Sequence, residues 1–477
     1  MLFNSISYGI FLPIVFIIYW LLPHKYRWVL LFIASYYFYM SWNAKYVFLI
    51  LFTTLASYLA ALLIEKYNSK KKIILAITLI VCLGILFVFK YFNFFFETLT
   101  SIFSLFSIKL NSITLNLVLP VDISFYTFQT LSYVIDVYRG NIEAEKHFGY
   151  YATFVSFFPQ LVAGPIERPE NLLPQLKEEK SFDYNNAVSG LKLMMVGFFK
   201  KIVIADNLAY YVDMVYNDLT YYTGFALILV SIFFTIEIYC DFSGYSDIAK
   251  GSAKLLNINL MDNFKTPYFS TTIKEFWSKW HISLSSWFKD YVYIPLGGNR
   301  CSKIRHYFNL LVTFLVSGLW HGANITFVIW GGLHGLLQIF EDIFKIKRNG
   351  NKYSFAWFIK VIIIFMIMSI TWVFFRAQNL NDAIYVLTNM FKGINHPISY
   401  FVSGLYSFSV TPQYLLIMIS IYLIPLFAYD LINVKYDCFA IINKQNKIVR
   451  YVIYFAILLM ILFLHYVGEV SFIYFQF

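Results

Sequence analysis

Two histidines in this chain stand in company that could do chemistry. His321 lies in Val316-Ser317-Gly318-Leu319-Trp320-His321-Gly322-Ala323-Asn324, inside a strongly apolar stretch from Tyr307 to Ile343. His281 lies in Glu275-Phe276-Trp277-Ser278-Lys279-Trp280-His281-Ile282-Ser283-Leu284-Ser285. Imidazole can deprotonate a hydroxyl or carry a group covalently near neutral pH. The His321 stretch is long enough for roughly two membrane crossings. An ionisable group at that depth is costly and faces a cavity or a partner more often than lipid. His321 is therefore a site candidate, against the plainer reading of a histidine bonded to a backbone carbonyl in a helix bundle. Zinc is a poor fit. On one continuous helix His321 and His334 would lie about 220° apart, and neither belongs to a metal-binding pattern. His334, beside Gly331-Gly332, reads as structural.

The elements that must position these residues read as membrane helices. The chain of 477 residues is 60% hydrophobic and only 13% charged, where a soluble domain carries about a quarter charged residues. Aromatic residues make up 21%, which suits lipid-facing space and interfacial belts. The net charge of +11 sits in short loops such as Lys70-Lys71-Lys72 and Lys345-Ile346-Lys347-Arg348. That placement fits the positive-inside rule and anionic lipid, not nucleic acid. Cys82, Cys240, Cys301 and Cys438 show no paired spacing, so neither a disulfide framework nor a cysteine metal site follows. The first apolar run reads as a retained span.

In order, spans are expected at Ser5–Leu22, Trp28–Trp42, Tyr46–Ile64, Ile73–Phe95 and Pro120–Val137. His24 to Arg27 reads as a turn. Polar groups such as Asp122, Ser124, Gln129 and Tyr133 require the last of these spans to face protein or water, through interhelical hydrogen bonds or substrate contact. Tyr150 to Gly164, cut by Pro159, reads as a re-entrant or interfacial piece. Glu167 to Asn186 reads as cytoplasmic surface. Lys200-Lys201 reads as snorkelling at the interface in preference to a basic lining. Phe225–Cys240 is a span, followed by the polar run Asp241 to Asn263, which must lie in protein or at the cytoplasmic face. Lys274 to Tyr291 reads as one amphipathic interfacial helix with Phe276, Trp277, Trp280, His281, Leu284 and Phe288 on its apolar face. His306–Phe344 crosses twice, and Trp357–Phe375, Gln413–Leu431 and Tyr451–Val467 complete the set. Asn379 to Thr411 is expected outside, and the basic run Asp437 to Arg450 inside. The sum is an all-α polytopic membrane protein of about 11–12 transmembrane helices with re-entrant or interfacial pieces.

Several motifs carry a resemblance. Trp-His-Ile-Ser-Leu-Ser from Trp280, Tyr-Ile-Pro-Leu-Gly-Gly-Asn-Arg from Tyr293 and Ser-Gly-Leu-Trp-His-Gly from Ser317 resemble the membrane-bound O-acyltransferase (MBOAT) family, in its alginate O-acetylase AlgI-like branch. Phe157 to Pro165 and Asp241-Phe242-Ser243-Gly244-Tyr245-Ser246-Asp247 extend the match, which covers most of about Leu119 to Gly335. After Arg300 the chain departs from the branch, reading Cys301-Ser302-Lys303 in place of a small basic-glycine run. The resemblance implies one MBOAT domain over 1–477, with N-terminal spans 1–118, a catalytic core 119–345 and C-terminal spans 346–477. It places the family's catalytic histidine on His321 and its second recurrent histidine on His281. Trp320, Asn324, Arg300 and Trp280 are candidate substrate contacts. Asn324, or backbone amides near Gly318 and Gly322, could meet an oxyanion. The turn at Pro295 to Arg300, with Lys303 and Arg305, could hold a phosphopantetheine or coenzyme A, or could be a plain positive-inside loop.

The implied activity is acetyl or acyl transfer from a cytoplasmic thioester, acetyl-CoA or another, across a bacterial plasma membrane toward an extracellular polysaccharide. No tightly bound cofactor, no metal and no nucleic acid enter. The implied partners are the lipid bilayer, an extracellular SGNH-type acetyltransferase and the exopolysaccharide synthesis machinery. D-alanyl transfer to teichoic acid is the alternative within the family, and a transporter the alternative outside it.

Overall fold

The structure is a computed structural model. It describes residues 1–108, 113–120, 122–161, 164–408, 417–468, 470 and 472–475. Residues 109–112, 121, 162–163, 409–411 and 413–416, which fall in the expected external stretches and in the Pro120, Phe157 and Gln413 segments, lie outside the described residues. The described residues are helical, without a β-strand. Four helical stretches among them are long and apolar enough to cross a membrane: Ala44–Lys66, Asn68–Leu105, Phe225–Leu255 and Phe355–Arg376. The chain is an all-α membrane protein of this kind, and it forms two compact units.

The first unit holds residues 1–194 and 246–261. Its aromatic core joins Phe11 to Phe158, edge to face with ring centres 5.1 Å apart. His24 to Arg27 is not a turn: Pro23 caps a helix, His24–Met40, that begins with these residues. Pro23 is the N-cap residue, where its missing N–H has no helical partner to lose. Two polar groups of the Ile123–Arg139 helix bond inside the unit. Gln129 Nε2 donates to the Phe154 carbonyl at 2.8 Å, and Tyr133 Oη accepts from Glu145 N at 2.8 Å. That is the interhelical reading of this segment. Glu167 is fully buried, not surface, and accepts from Met261 N and Asn171 Nδ2 at 2.6 Å each. Burial pushes its carboxyl up to about 7.

The second unit holds residues 195–245 and 262–477. Its organising feature is a helical hairpin, Lys303–His321 and Ile325–Ile343. The two helices cross at Gly318 and Gly331. A Cβ at Gly318 would run into the Phe327 carbonyl oxygen, and one at Gly331 into the Phe314 carbonyl oxygen. Only glycine permits this approach. Asn324 starts the second arm as its N-cap, accepting from Thr326 N at 3.1 Å.

Two expectations for this unit need correction. Lys200 and Lys201 do not snorkel; both are buried. Lys200 lies over the Tyr239 and Tyr429 rings, and Lys201 between Asp206 (2.6 Å) and Asp241 (2.7 Å). A π-helical turn, Phe199–Ala205, aims these lysines inward. Nor is Lys274 to Tyr291 one amphipathic helix. It is Ile273–Trp277 and Ile282–Phe288, separated by a break at Ser278 to His281. Helical spacing placed the right side chains in the core but could not show the break. Asp241, read as beyond its span, continues the unbroken helix Phe225–Leu255 and is buried in protein.

Candidate functional site

The break at His281 is built by a residue far back in the chain. His281 takes a left-handed backbone, φ 41°, which costs a β-carbon residue energy and persists only when its surroundings hold it. Buried Asn263 does so. Its carbonyl accepts from Ile282 N at 2.9 Å, and its Oδ1 accepts from Ser283 Oγ at 2.6 Å and Ser283 N at 3.3 Å. His281 Nδ1 meets the same oxygen at 3.4 Å. Since Ser283 N can only donate, this oxygen is an acceptor, and a proton on His281 Nδ1 suits the contact. The basic lone pair is then on Nε2.

His321 ends its helix with only 3% of its surface exposed. Its ring packs against Trp320 (4.9 Å between centres), Trp330 (5.1 Å), Phe375 (5.2 Å) and Tyr474 (5.6 Å). Trp320 and Tyr474 also face His281, at 6.2 and 6.3 Å. The structure thus brings both histidines around one tryptophan and one tyrosine. Tyr474 was not read from the sequence. One tyrosine in an aromatic-rich tail carries no local signal, and its placement depends on distant packing.

The same unit holds a cavity of about 1450 Å³, whose lining includes neither His281 nor His321, nor Trp320, nor Tyr474. Arg300 and Lys303 line it, as do Thr313, Phe314 and Ser317 of the Lys303–His321 helix. It therefore follows that helix for about 20 Å and stops one turn short of His321. Lys274, Lys289, Lys345 and Lys347 add cationic lining. The acidic lining is already engaged. Glu275 Oε1 meets Lys279 Nζ and Arg348 Nε, both at 2.9 Å. Glu341 accepts from Ile273 N and Lys274 N, capping that short helix, and Asp342 accepts from Tyr307 Oη at 2.9 Å. The net field favours an anion.

The remaining candidates divide. Arg300 lines the cavity. Trp280 does not; its ring stacks in the core with Phe276 (5.4 Å) and Trp372 (5.0 Å), and Trp277 takes the lining position. Asn324 uses its amide locally, donating to the Gln378 carbonyl at 2.7 Å besides capping its helix. His334 Nδ1 accepts from Trp277 Nε1 at 3.3 Å, a packing role. Among the described residues no three His, Cys, Asp or Glu side chains gather as a metal site.

Comparison with known proteins gives the family. The pattern of the MBOAT, membrane-bound O-acyltransferase family, matches residues 142–377. The chain is similar to the peptidoglycan O-acetyltransferase of Helicobacter pylori, 36% identical over 81% of this chain and 78% of that one. It is 38% identical to the probable alginate O-acetylase AlgI of Pseudomonas aeruginosa, over 82% of this chain and 75% of that one. The teichoic acid D-alanyltransferase of Bacillus subtilis is 27% identical over 48% of this chain and 60% of that one. Relatives this similar over most of both lengths leave one family, and the chain belongs to the membrane-bound O-acyltransferases, as an AlgI-like O-acyltransferase.

Proposed function

We propose that this enzyme takes an acetyl group from a cytoplasmic thioester and passes it across a bacterial plasma membrane to a hydroxyl destined for an extracellular polysaccharide. The observation that carries the reading is the cavity, cationic at the Arg300–Lys303 end and closing one helical turn from His321. Acetyl-CoA, or another phosphorylated thioester, fits such a cavity. Its phosphates would sit among the lysines and its acyl end would reach toward Ser317. His321 then removes the acceptor hydroxyl's proton while that oxygen attacks the thioester carbonyl. The carbon–sulfur bond breaks, and the departing thiolate takes the proton back from the imidazolium. His281, with Nε2 basic, and the Tyr474 phenol flank the reacting groups. An extracellular SGNH-type acetyltransferase and the exopolysaccharide machinery would complete delivery.

Peptidoglycan and alginate, in the names of the relatives, point to sugar hydroxyls as final acceptors. D-alanyl transfer is the second reading; it rests on a likeness over only 48% of the chain. Feeding the purified enzyme radiolabelled acetyl-CoA or a D-alanyl carrier thioester, with cell-envelope polymer as acceptor, separates the two. Acetyl label on the polymer supports this reading, and label from the D-alanyl donor alone overturns it.

A further inference from the structure

The run Asp241-Phe242-Ser243-Gly244-Tyr245 lies on a helix, lines no part of the cavity, and has no role in the acyl transfer described above. It packs against the segment that brings Tyr474 to His321. Asp241 Oδ2 accepts from the backbone N–H of Ile473 at 2.7 Å. Phe472 packs at a tilt on Tyr245 with 4.4 Å between ring centres, and Tyr474 on Phe242 with 4.5 Å. Asp241 and Tyr245 are four residues apart and so share one helix face. Phe472 and Ile473 are buried against it. Asp241 is itself held from behind, because its other oxygen, Oδ1, meets Lys201 Nζ at 2.7 Å, and Lys201 also meets Asp206. The lysine fixes the carboxylate so that the second oxygen points at the Ile473 amide. A buried ion pair is weak evidence of stability, and here its place is between the helix and the Lys201 turn.

We propose that Asp241, fixed by Lys201, is a positioning residue that seats Phe472, Ile473 and Tyr474 so that the phenol stands beside His321. This rests on the acyl-transfer reading only for its consequence; the seating is a separate physical claim. The Ile473 N–H is the handle, so proline at 473 removes the donor while leaving the Lys201–Asp241–Asp206 cluster intact.

The test uses the full chain in lipid nanodiscs, with 3-fluorotyrosine placed at position 474 by codon suppression. In the native protein its fluorine resonance should be that of a packed ring. Ile473→Pro and Asp241→Ala should both move it to the position of an exposed tyrosine, while Ile473→Val leaves it in place. With 474 kept as natural tyrosine, turnover should fall about tenfold in both variants with donor KM unchanged, since the cavity does not touch this segment. Combining either with Tyr474→Phe should add no further loss. A resonance that stays packed in folded Ile473→Pro overturns the proposal, and so do additive losses. If the resonance moves but Tyr474→Phe and His321→Ala retain full acylation, the seating stands and the acyl-transfer reading falls. Should Asp241→Ala not fold, Ile473→Pro alone decides.

Discussion

At the scale of residues, the proposed site is two histidines with different proposed tasks. His281 Nδ1 meets Asn263 Oδ1, so its geometry is borrowed from a residue eighteen positions earlier. Asn263→Ala should leave the protein inserted but lower turnover about tenfold, with the loss appearing in kcat. His281→Ala should be at least as severe, by roughly 100-fold if Nε2 moves a proton. Steady-state acylation by purified variants checks both, and unaffected activity would return His281 to the packing stripe. Tyr474→Phe removes one hydroxyl and nothing else from the cluster. It should cut acylation while leaving thermal stability within about 1 kcal/mol of the parent. The histidines stand out in the sequence because their motifs are local. Asn263 and Tyr474 do not, because each acts through a contact that no spacing rule spans.

At the scale of elements, periodicity read the helices and missed their interruptions. Phe276, Trp277, Trp280, Leu284 and Phe288 are buried as their three- and four-residue spacing implies. The same spacing suggested a continuous helix, and the left-handed residue at His281 broke it. Lys200 and Lys201 were misread for a related reason. Asp206 lies only five residues after Lys201, yet Asp241 lies forty residues on and the Tyr429 ring over which Lys200 sits further still. The hairpin is the element that sets His321, and its closeness depends on Gly318. Gly318→Val should force the arms apart against the Phe327 carbonyl. Overpacking of this kind costs about 1–3 kcal/mol, so the detergent-solubilised protein should melt earlier and lose activity. An unchanged melting temperature would mean that the hairpin tolerates separation. Ser317 lines the cavity one helical turn before His321. Ser317→Leu should raise donor KM with little change in stability.

At the scale of the whole molecule, charge is the proposed basis of orientation and of donor recruitment. The lysine loops at Lys70 to Lys72, Lys345 to Lys352 and Asp437 to Arg450 are expected on the cytoplasmic side. Single cysteines at Lys71 and Asn349, in a protein cleared of native thiols, should label from inside, and one at Asn395 from outside. Labelling of Asn349 from outside would invert the direction of transfer. Because the cavity lining is cationic, replacing Arg300 and Lys303 together should raise donor KM about tenfold at low salt and less at high salt. The membrane class and the family were legible from composition and motif order. The cavity was not, since its walls come from segments between Thr272 and Arg348 that meet only in the folded unit. The most direct test of the central claim is transfer by the reconstituted enzyme with labelled thioester supplied only on the face that Lys71 reports. Wild-type vesicles should move label to a hydroxyl acceptor on the opposite face, and His321→Ala vesicles, equally loaded with folded protein, should move none. Wild-type rates from His321→Ala would contradict the account.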